Sequence, residues 1–160
     1  MLLLIDSREQ AALVFEKVAG VETKVVCLPV GDYGAEINGV REPIVIERKE
    51  IGDLFSSFST GYVRERAKIL RAKELGLKYI LAIEVTASDV YKGHTYWKNG
   101  KEHKSKKSGL AMLRQLMMLM HKYGIEVWYC DGRREMSRRI MEYFLAAERL
   151  ANDREKMVGV

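Results

Sequence analysis

The sequence predicts an α/β fold, in which a mixed central sheet of about five strands is flanked by helices on both faces. Short runs of β-branched and apolar residues alternate with helix-like stretches over 160 residues. An early hairpin signal, Asn38-Gly39, makes part of the sheet antiparallel. Hydrophobic residues make up 48% and charged residues 31%, which is ordinary for a globular protein. A chain of this length can bury a core of its own, and we expect a single domain over residues 1–160.

The elements of the N-terminal half follow from local pattern. Residues 2–6, LLLID, form an apolar run typical of a buried strand. A helix is predicted over 9–19, where Gly20 would end it. A second strand is predicted over 23–28, and the two runs joined by Asn38-Gly39, which end at the ERK of residues 47–49, are predicted to form a hairpin.

The C-terminal half alternates helices and strands. The predicted elements, in order, are helices at 51–58 and 62–75, a strand at 78–85, a loop at 92–107, a helix at 109–124, a strand at 125–130 and a helix at 133–151. Gly76 and Gly124 mark the ends of two of these helices. Strand–helix alternation in this half indicates a sheet covered on both faces.

Several classes of protein are disfavoured. Only four apolar residues separate Met1 from Asp6, too few for a signal peptide or a membrane span, so we expect a soluble intracellular protein of the cytoplasm, nucleoid or nucleus. Cys27 and Cys130 lie in apolar segments without Cys-x-x-Cys spacing, and we expect buried free thiols rather than a disulfide or a zinc site. The three histidines lack metal-ligand spacing, so a catalytic histidine is not expected.

The positive charge is concentrated in one segment. Residues 92–107 hold six lysines and one glutamate, a net charge of +5 that equals the net charge of the whole chain. Aromatic residues are interleaved with the lysines, a combination suited to a polyanion with unpaired bases. A solvated loop that only keeps the protein soluble explains the same pattern. The candidate DNA-binding residues here are Lys92, Tyr96, Trp97, Lys98, Lys101, Lys104, Lys106 and Lys107.

Acidic residues follow three predicted strands. Asp6 ends the first strand, Asp32 follows the second, and Glu47 ends the third together with Lys49. Asp53 lies one helical turn beyond Lys49. If the strands are neighbours, these carboxylates meet at one edge of the sheet, where repulsion favours a bound divalent cation; oxygen ligands suit Mg²⁺ or Mn²⁺. Each acid taken alone is more simply explained as a helix cap or a rim residue.

The order and spacing of these residues resemble a known family. Gly31-Asp32, followed by Glu47-Arg48-Lys49-x-x-x-Asp53, is similar to the GD…ERKxxxD signature of the XPF-type structure-specific DNA endonucleases, a branch of the restriction-endonuclease-like PD-(D/E)xK superfamily. The stretches LLLIDSRE, LPVGDY and YILAIE also resemble the family, over residues 2–145 in all. The sequence departs from the family pattern at Tyr62, where an arginine is usual, and near Arg66, where a glutamine is usual.

The resemblance implies a role for each residue of the signature. Asp32 and Glu47 would hold the metal, with the backbone carbonyl of Arg48 as a further ligand, and Asp6 and Asp53 would complete the site or orient water. Lys49 would activate the attacking water and stabilise negative charge. Arg8 would grip a phosphate. The implied catalytic set is therefore Asp6, Arg8, Asp32, Glu47, Arg48, Lys49 and Asp53, with Asp6, Asp32 and Glu47 as metal ligands.

The implied activity is metal-dependent hydrolysis of phosphodiester bonds in branched, flapped or forked DNA, during DNA repair or recombination. The family's tandem helix-hairpin-helix domain is missing, so a free-standing nuclease core is expected. One alternative is a catalytically silent relative that binds branched DNA or scaffolds a partner. Another is a restriction- or phage-type nuclease without junction preference.

Two helices carry further expectations. On the helix from Tyr62, the cations Arg64, Lys68 and Arg71 recur on one face, where they would contact DNA or simply face solvent. The Met-rich helix at 109–124 is predicted to be either a central core helix or part of a dimer interface. The resemblance implies a homodimer through the nuclease domain, with the Met136, Ile140, Phe144 and Ala147 face of the last helix contributing.

Overall fold

The computed structural model describes residues 1–158. The strands are β1 Leu2–Asp6, β2 Glu22–Val26, β3 Tyr33–Ile37, β4 Val40–Arg41, β5 Ile44–Lys49, β6 Lys78–Ile83, β7 Thr95–Lys98, β8 Lys101–Lys104 and β9 Glu126–Tyr129. The helices are α1 Ile51–Ser57, α2 Tyr62–Glu74, α3 Ala87–Lys92, α4 Gly109–Tyr123 and α5 Gly132–Val158. None of the helices in residues 1–158 is long and apolar enough to cross a membrane.

The central sheet is mixed, as predicted. Its strand order is β2-β1-β3-β5-β6-β9, with the short β4 pairing β3. The β1–β2, β5–β6 and β6–β9 pairs are parallel, whereas β3 is antiparallel to β1, β4 and β5. The α/β fold class is therefore confirmed. The described sheet has seven strands rather than about five, because the hairpin at Asn38-Gly39 adds the two-residue β4 and all the other predicted strands join one sheet.

The alternation along β5 shows how the sheet is covered on both faces. Val45 belongs to a core cluster with residues of α1, α2 and α4, whereas Ile46 belongs to a second cluster with residues of α5. Successive strand residues point to opposite faces, so Glu47 and Lys49 share the face of Val45, and Arg48 shares the face of Ile46. The side chains of Glu47 and Lys49 therefore point toward α2.

The helix predicted over 9–19 is wrong. This segment contains turns and irregular backbone between β1 and β2. Its backbone groups form hydrogen bonds with residues outside the segment. The Ala11 and Ala12 carbonyls accept from Arg133 Nη2 at 2.7 and 3.0 Å. Leu13 N–H donates to the Tyr33 hydroxyl at 2.9 Å. Tertiary hydrogen bonds have replaced helical ones, which the local pattern could not indicate.

The loop predicted over 92–107 is also wrong. α3 begins after Thr86, whose side chain accepts from Asp89 N–H, and it ends at Gly93. β7 and β8 then form a separate antiparallel hairpin around Asn99-Gly100. Both turn residues have positive φ, 52° and 71°, as a two-residue hairpin turn requires. This is the same dipeptide signal that correctly predicted the turn at Asn38-Gly39.

Two smaller predictions need correction. Cys130 is buried as expected, but Cys27 is exposed, because it follows the edge strand β2. The face of α5 that was expected to form a dimer interface packs inside the chain: Met136, Ile140 and Phe144 are fully buried against the sheet. These three apolar side chains are core residues of their own chain.

Candidate active site

Backbone hydrogen bonds bring the acid-bearing strand ends together. Asp6 N–H donates to the Asp32 carbonyl at 2.8 Å, and Asp32 N–H donates to the Ile46 carbonyl at 2.8 Å. The Asp32 side chain then accepts from Arg48 N–H through Oδ2 at 2.7 Å. Residues far apart in the sequence therefore meet at one edge of the sheet.

Gly31 makes the approach of Asp32 to β5 possible. Its φ is +80°, and a Cβ at this position would lie 3.0 Å from Val45 Cβ and 3.3 Å from the Ile46 carbonyl oxygen. Glycine tolerates both the positive φ and the close contact. The glycine of the Gly-Asp pair is thus required by the backbone conformation and by the close contact with β5.

Two glutamates and two lysines form a compact, alternating cluster beside Asp32. Lys49 Nζ lies 3.1 Å from Glu47 Oε1 and 3.3 Å from Glu65 Oε1. Lys68 Nζ, from α2, lies 2.5 Å from Glu47 Oε1 and 3.6 Å from Glu65 Oε1. Glu47, Lys49 and Glu65 are buried, while the Lys68 side chain is 34% exposed. The cluster fixes the Lys49 ammonium next to the acids.

Asp32 is a half-buried carboxyl group beside a second carboxylate. Burial, and after it the neighbouring charge of Glu47, raise the pKa of Asp32 to about 7, against the opposing effects of the Arg48 N–H hydrogen bond and the Lys68 charge. The two carboxylates therefore repel each other at this site. A divalent cation between them would relieve that repulsion.

The donor set fits a small, hard cation. Lys49 and Lys68 contact Glu47 through Oε1, and Arg48 N–H binds Asp32 through Oδ2; no hydrogen bond within residues 1–158 reaches Glu47 Oε2 or Asp32 Oδ1. Among the described residues, no group of three or more His, Cys, Asp or Glu side chains is arranged as a metal site. Two carboxylate oxygens suit Mg²⁺, which is commonly held by one or two carboxylates with water and substrate phosphates.

Asp6 lies at the same edge, but its carboxylate is engaged elsewhere. Oδ1 accepts from Arg8 Nε at 2.7 Å and from Arg8 N–H at 2.8 Å; Oδ2 accepts from Arg8 Nη2 at 2.9 Å and from Leu28 N–H at 2.7 Å. The bidentate pair holds the Arg8 guanidinium, which also donates to the Leu28 carbonyl, at the cleft beside Asp32. The geometry thus makes Asp6 the support of Arg8.

The backbone and the side chain of Arg48 have different partners. Its N–H donates a hydrogen bond to Asp32. Its guanidinium forms ion pairs with Glu9 at 3.0 Å and Glu84 at 2.7 Å, on the face of the sheet that α5 covers. Arg133 of α5 also contacts Glu84, at 2.9 Å. This ion-pair network ties the loop after β1, the end of β6 and α5 to the ERK triplet.

The remaining predicted residues line the cleft around the acids. Asp53 is exposed and lines the concavity that also contains Asp32, Glu47 and Lys49. The α2 cations line the adjoining cleft with Asp32 and Glu47, so the helical stripe predicted from spacing does face the candidate site; they are Arg64, Lys68 and Arg71. The predicted residues of segment 92–107 lie in or beside the β7–β8 hairpin, except Lys92, which ends α3.

Glu65 is the site residue that the sequence analysis missed. It is 1% exposed, and neither carboxylate oxygen has a hydrogen bond within the described structure. A usable signal was present: Glu65 is in helical register with Ile69 and Ala72, both buried on the inner face of α2. A carboxylate within an apolar stripe indicates a paired, buried charge.

The site thus combines an aspartate with a buried Glu-x-Lys at the end of a strand of a mixed sheet. Residues 5–142 match the ERCC4 domain. The chain belongs to the ERCC4 domain family, and the resemblance to XPF-type nucleases is confirmed.

Solved structures show the same fold. XPF from Aeropyrum pernix matches with a TM-score of 0.63 and 20% identity, over 97% of this chain and 69% of that chain. The same protein in complex with DNA matches with a TM-score of 0.61 and 19% identity, over 95% of this chain and 65% of that chain. The chain thus spans about two thirds of each solved XPF chain. No curated protein matches the sequence.

Proposed function

We propose that this chain is a metal-dependent DNA endonuclease. ERCC4-family nucleases generally depend on metal ions. The observation that carries the proposal is the meeting of Asp32, Glu47 and Lys49 at one edge of the sheet, beside a wall of α2 cations. Two carboxylates suit a divalent cation, and a buried ammonium next to them suits a reaction in which negative charge develops.

Each residue then has a role. Asp32 and Glu47 hold Mg²⁺ or Mn²⁺, which when bound supplies Lewis-acid chemistry at the phosphoryl group. Lys49 positions the attacking water and stabilises the developing charge. Glu65 orients the Lys49 ammonium from 3.3 Å, and Arg8, fixed by Asp6, binds a phosphate oxygen of the substrate. Asp53, exposed at the mouth, orients water.

The proposed substrate is branched, flapped or forked DNA. Arg64 and Arg71 are largely exposed along the rim of the cleft, where they can neutralise phosphates. The lysine-rich hairpin offers a second basic surface that starts close to the catalytic motif. XPF from Aeropyrum pernix has been solved in complex with DNA, which supports DNA as the partner of this fold.

A cleavage assay tests the proposal. We expect the wild-type protein to cut labelled flap, fork or Holliday-junction DNA in Mg²⁺, to cut plain duplex less well, and to stop in the presence of a chelator. Glu47→Gln and Lys49→Met should each reduce the rate by at least about 10²-fold: the first removes a charged ligand of the metal ion, and the second removes the ammonium that stabilises negative charge at the reacting phosphate. Glu142→Gln, which removes an exposed carboxylate on α5, is the matched control and should cut normally.

The same assay separates the rival functions. Binding to branched DNA without cleavage in Mg²⁺ or Mn²⁺ would support a silent scaffolding relative and contradict the proposal. Equal cleavage of all substrates would support a nuclease without junction preference, and would contradict only the substrate assignment.

We propose further that two copies associate through α4. Met112, Leu116 and Leu119 of α4 are core residues, but the helix also leaves Met117, Met118 and Met120 exposed, at 56%, 67% and 40%. A dimer would cover these side chains. Sedimentation at tens of micromolar should show a dimer that the substitution Met118→Lys dissociates; a wild-type monomer at that concentration would contradict the proposal.

A further inference from the structure

The β7–β8 hairpin stands apart from the central sheet and has two distinct faces. Its register pairs Tyr96 with His103, Trp97 with Glu102, and Lys98 with Lys101. Directly paired residues share a face, and successive residues alternate. Tyr96, His103, Lys98 and Lys101 therefore lie on one face, and Trp97 lies on the other. All eight strand residues are exposed.

A ladder of rings connects the first face to the catalytic motif. Phe55, buried in α1, lies 5.9 Å from His94; His94 lies 6.0 Å from Tyr96; and Tyr96 lies 5.6 Å from His103. The rings of the last two pairs are stacked and nearly parallel, with interplanar angles of 22° and 19°. The base of the ladder packs on Gly52, next to Asp53: a Cβ on Gly52 would lie 3.4 Å from His94 Nε2. The ladder thus extends outward from the edge of the candidate active site.

The ring face also concentrates positive charge without a partner. Lys98 and Lys101 are directly opposite each other at the tip, and no ion pair involves either lysine in the part of the chain that the structure describes. Like charges in opposed positions destabilise a hairpin. A bound polyanion would remove that cost. The exposed ring of His103, on the same face as the two ammonium groups, could stack on a base.

We propose that this face of the hairpin binds an unpaired DNA strand next to the cleavage site. A base stacks on the outer side of His103 and continues the ladder, while Lys98 and Lys101 neutralise the adjacent phosphates. Duplex DNA keeps its bases stacked internally and offers no such contact. The inference rests on the proposed nuclease function for its biological meaning, but the binding site itself can be tested without cleavage.

The test is fluorescence anisotropy with a labelled oligo(dT) 20-mer in chelator, so that no strand is cut. His103→Ala should weaken binding roughly tenfold, the effect expected from loss of one base–ring stack. His103→Phe keeps a stacking surface and should bind within about twofold of the wild type. Trp97 was among the candidate DNA-binding residues of the sequence, but the register places it on the opposite face with Glu102. Trp97→Ala is therefore the control of the face assignment and should have little effect on oligo(dT) binding.

Charge removal gives an independent readout. The double variant Lys98→Gln/Lys101→Gln should reduce the dependence of log K on log salt by about 1.4, because each phosphate contact to a single strand contributes about 0.7. Binding of a duplex of the same length should change less than binding of oligo(dT) in every ring-face variant.

Three results would overturn the inference: an unchanged affinity of His103→Ala, an equal loss in Trp97→Ala, or tighter binding of oligo(U) than of oligo(dT), which would make RNA the ligand. Intact oligo(dT) binding by a protein that never cleaves DNA would contradict the proposed nuclease function alone. Cleavage by a protein whose ring face does not bind oligo(dT) would contradict only the present inference.

Discussion

Lys68 lies where both a metal ion and a DNA phosphate would need access to the acids. Its ammonium contacts Glu47 at 2.5 Å and faces the cleft that Arg64 and Arg71 line. The positive charge of Lys68 offsets the negative charge of Glu47 and acts to lower the pKa of Asp32. Lys68 is therefore the counter-ion of Glu47 in this structure, at the position where the proposed cation would bind.

This position predicts the effect of Lys68→Met. Without the ammonium, Glu47 and Asp32 repel each other more strongly, so we expect a lower melting temperature in chelator. Mn²⁺ should bind roughly tenfold more tightly, a change of ~1.4 kcal/mol, because the metal no longer displaces a bound charge. Electron paramagnetic resonance titration of free Mn²⁺ measures this. Lys73→Met, exposed on the same helix, is the control, and weaker Mn²⁺ binding by Lys68→Met would contradict the account.

Asp6 gives a pH-dependent prediction at the residue scale. Burial alone would raise its pKa, but hydrogen bonds from the Arg8 side chain, the Arg8 N–H and the Leu28 N–H outweigh burial and lower the pKa from the usual 3.8. A carboxylate with a lowered pKa stabilises the folded state above pH 3.8, and the contribution is lost as the pH falls through the folded-state pKa.

Asp6→Asn should therefore reduce the free energy of unfolding by about 1–3 kcal/mol at pH 7, because a charged, hydrogen-bonded acceptor is lost from a buried position. The difference from wild type should shrink as the pH falls below 3.8. Urea unfolding at a series of pH values, in chelator, measures both effects. A difference that grows toward low pH would show that the sign is wrong.

Some residues of the candidate site could be predicted from the sequence, and others could not. Asp32, Glu47 and Lys49 were predicted from order and spacing, and the structure brings them together because their strands are neighbours. The engagement of Asp6 by Arg8 and Leu28 was not foreseeable, because it depends on where residue 28 lies after β2. The apolar stripe of α2 signalled that Glu65 is buried, but its pairing with Lys49 depends on tertiary structure that the local pattern does not show.

At the scale of elements, α3 and α4 pack closely through one glycine. Gly109, the first residue of α4, is buried, and a Cβ there would overlap the carbonyl oxygens of Val90 and Tyr91 in α3. Because the atoms it meets are backbone, the helices would have to move apart. This contact holds α3, and the hairpin that follows it, against the body of the protein.

Gly109→Ala should accordingly reduce the free energy of unfolding by about 1–3 kcal/mol or more, the range for an overpacked interior. Leu110→Ala changes an exposed side chain at the next position and should have a small effect. Chemical denaturation of both variants provides the comparison. Equal stability of Gly109→Ala and wild type would contradict the close packing.

The elements that were predicted well are those whose pattern is local. Helices α1, α2 and α4 begin and end within one or two residues of the predicted bounds. The helical spacing of their apolar residues, and the glycines that follow α2 and α4, define these bounds locally. The helix expected over 9–19 failed because Tyr33 and Arg133, distant in sequence, bind its backbone. The β7–β8 hairpin was missed although Asn99-Gly100 signalled it, because the surrounding lysines obscured the strand pattern.

At the scale of the whole molecule, basic surfaces lie beside a buried pair of glutamates. The α2 cations and the hairpin lysines lie outside, while Glu47 and Glu65 are almost completely buried. Such a distribution favours a polyanion at the surface. The proposed DNA binding should therefore be sensitive to salt.

Duplex binding in chelator should therefore weaken with salt, with log K falling by about 0.9 per log unit for each phosphate contact. Arg64→Gln/Arg71→Gln should make this slope shallower by about 2 if both side chains contact phosphates. Anisotropy measurements between 50 and 300 mM salt (about the range in which counter-ion release dominates) provide the slopes. An unchanged slope would exclude the α2 rim from the duplex interface.

The central claim is that Asp32 and Glu47 share one divalent cation beside Lys49. A titration of Mn²⁺ followed by electron paramagnetic resonance tests it without DNA or turnover. We predict that the wild-type protein and Glu74→Gln bind Mn²⁺ alike, and that Asp32→Asn and Glu47→Gln each weaken binding at least about tenfold while remaining folded. Equal Mn²⁺ binding by all four proteins would contradict the account.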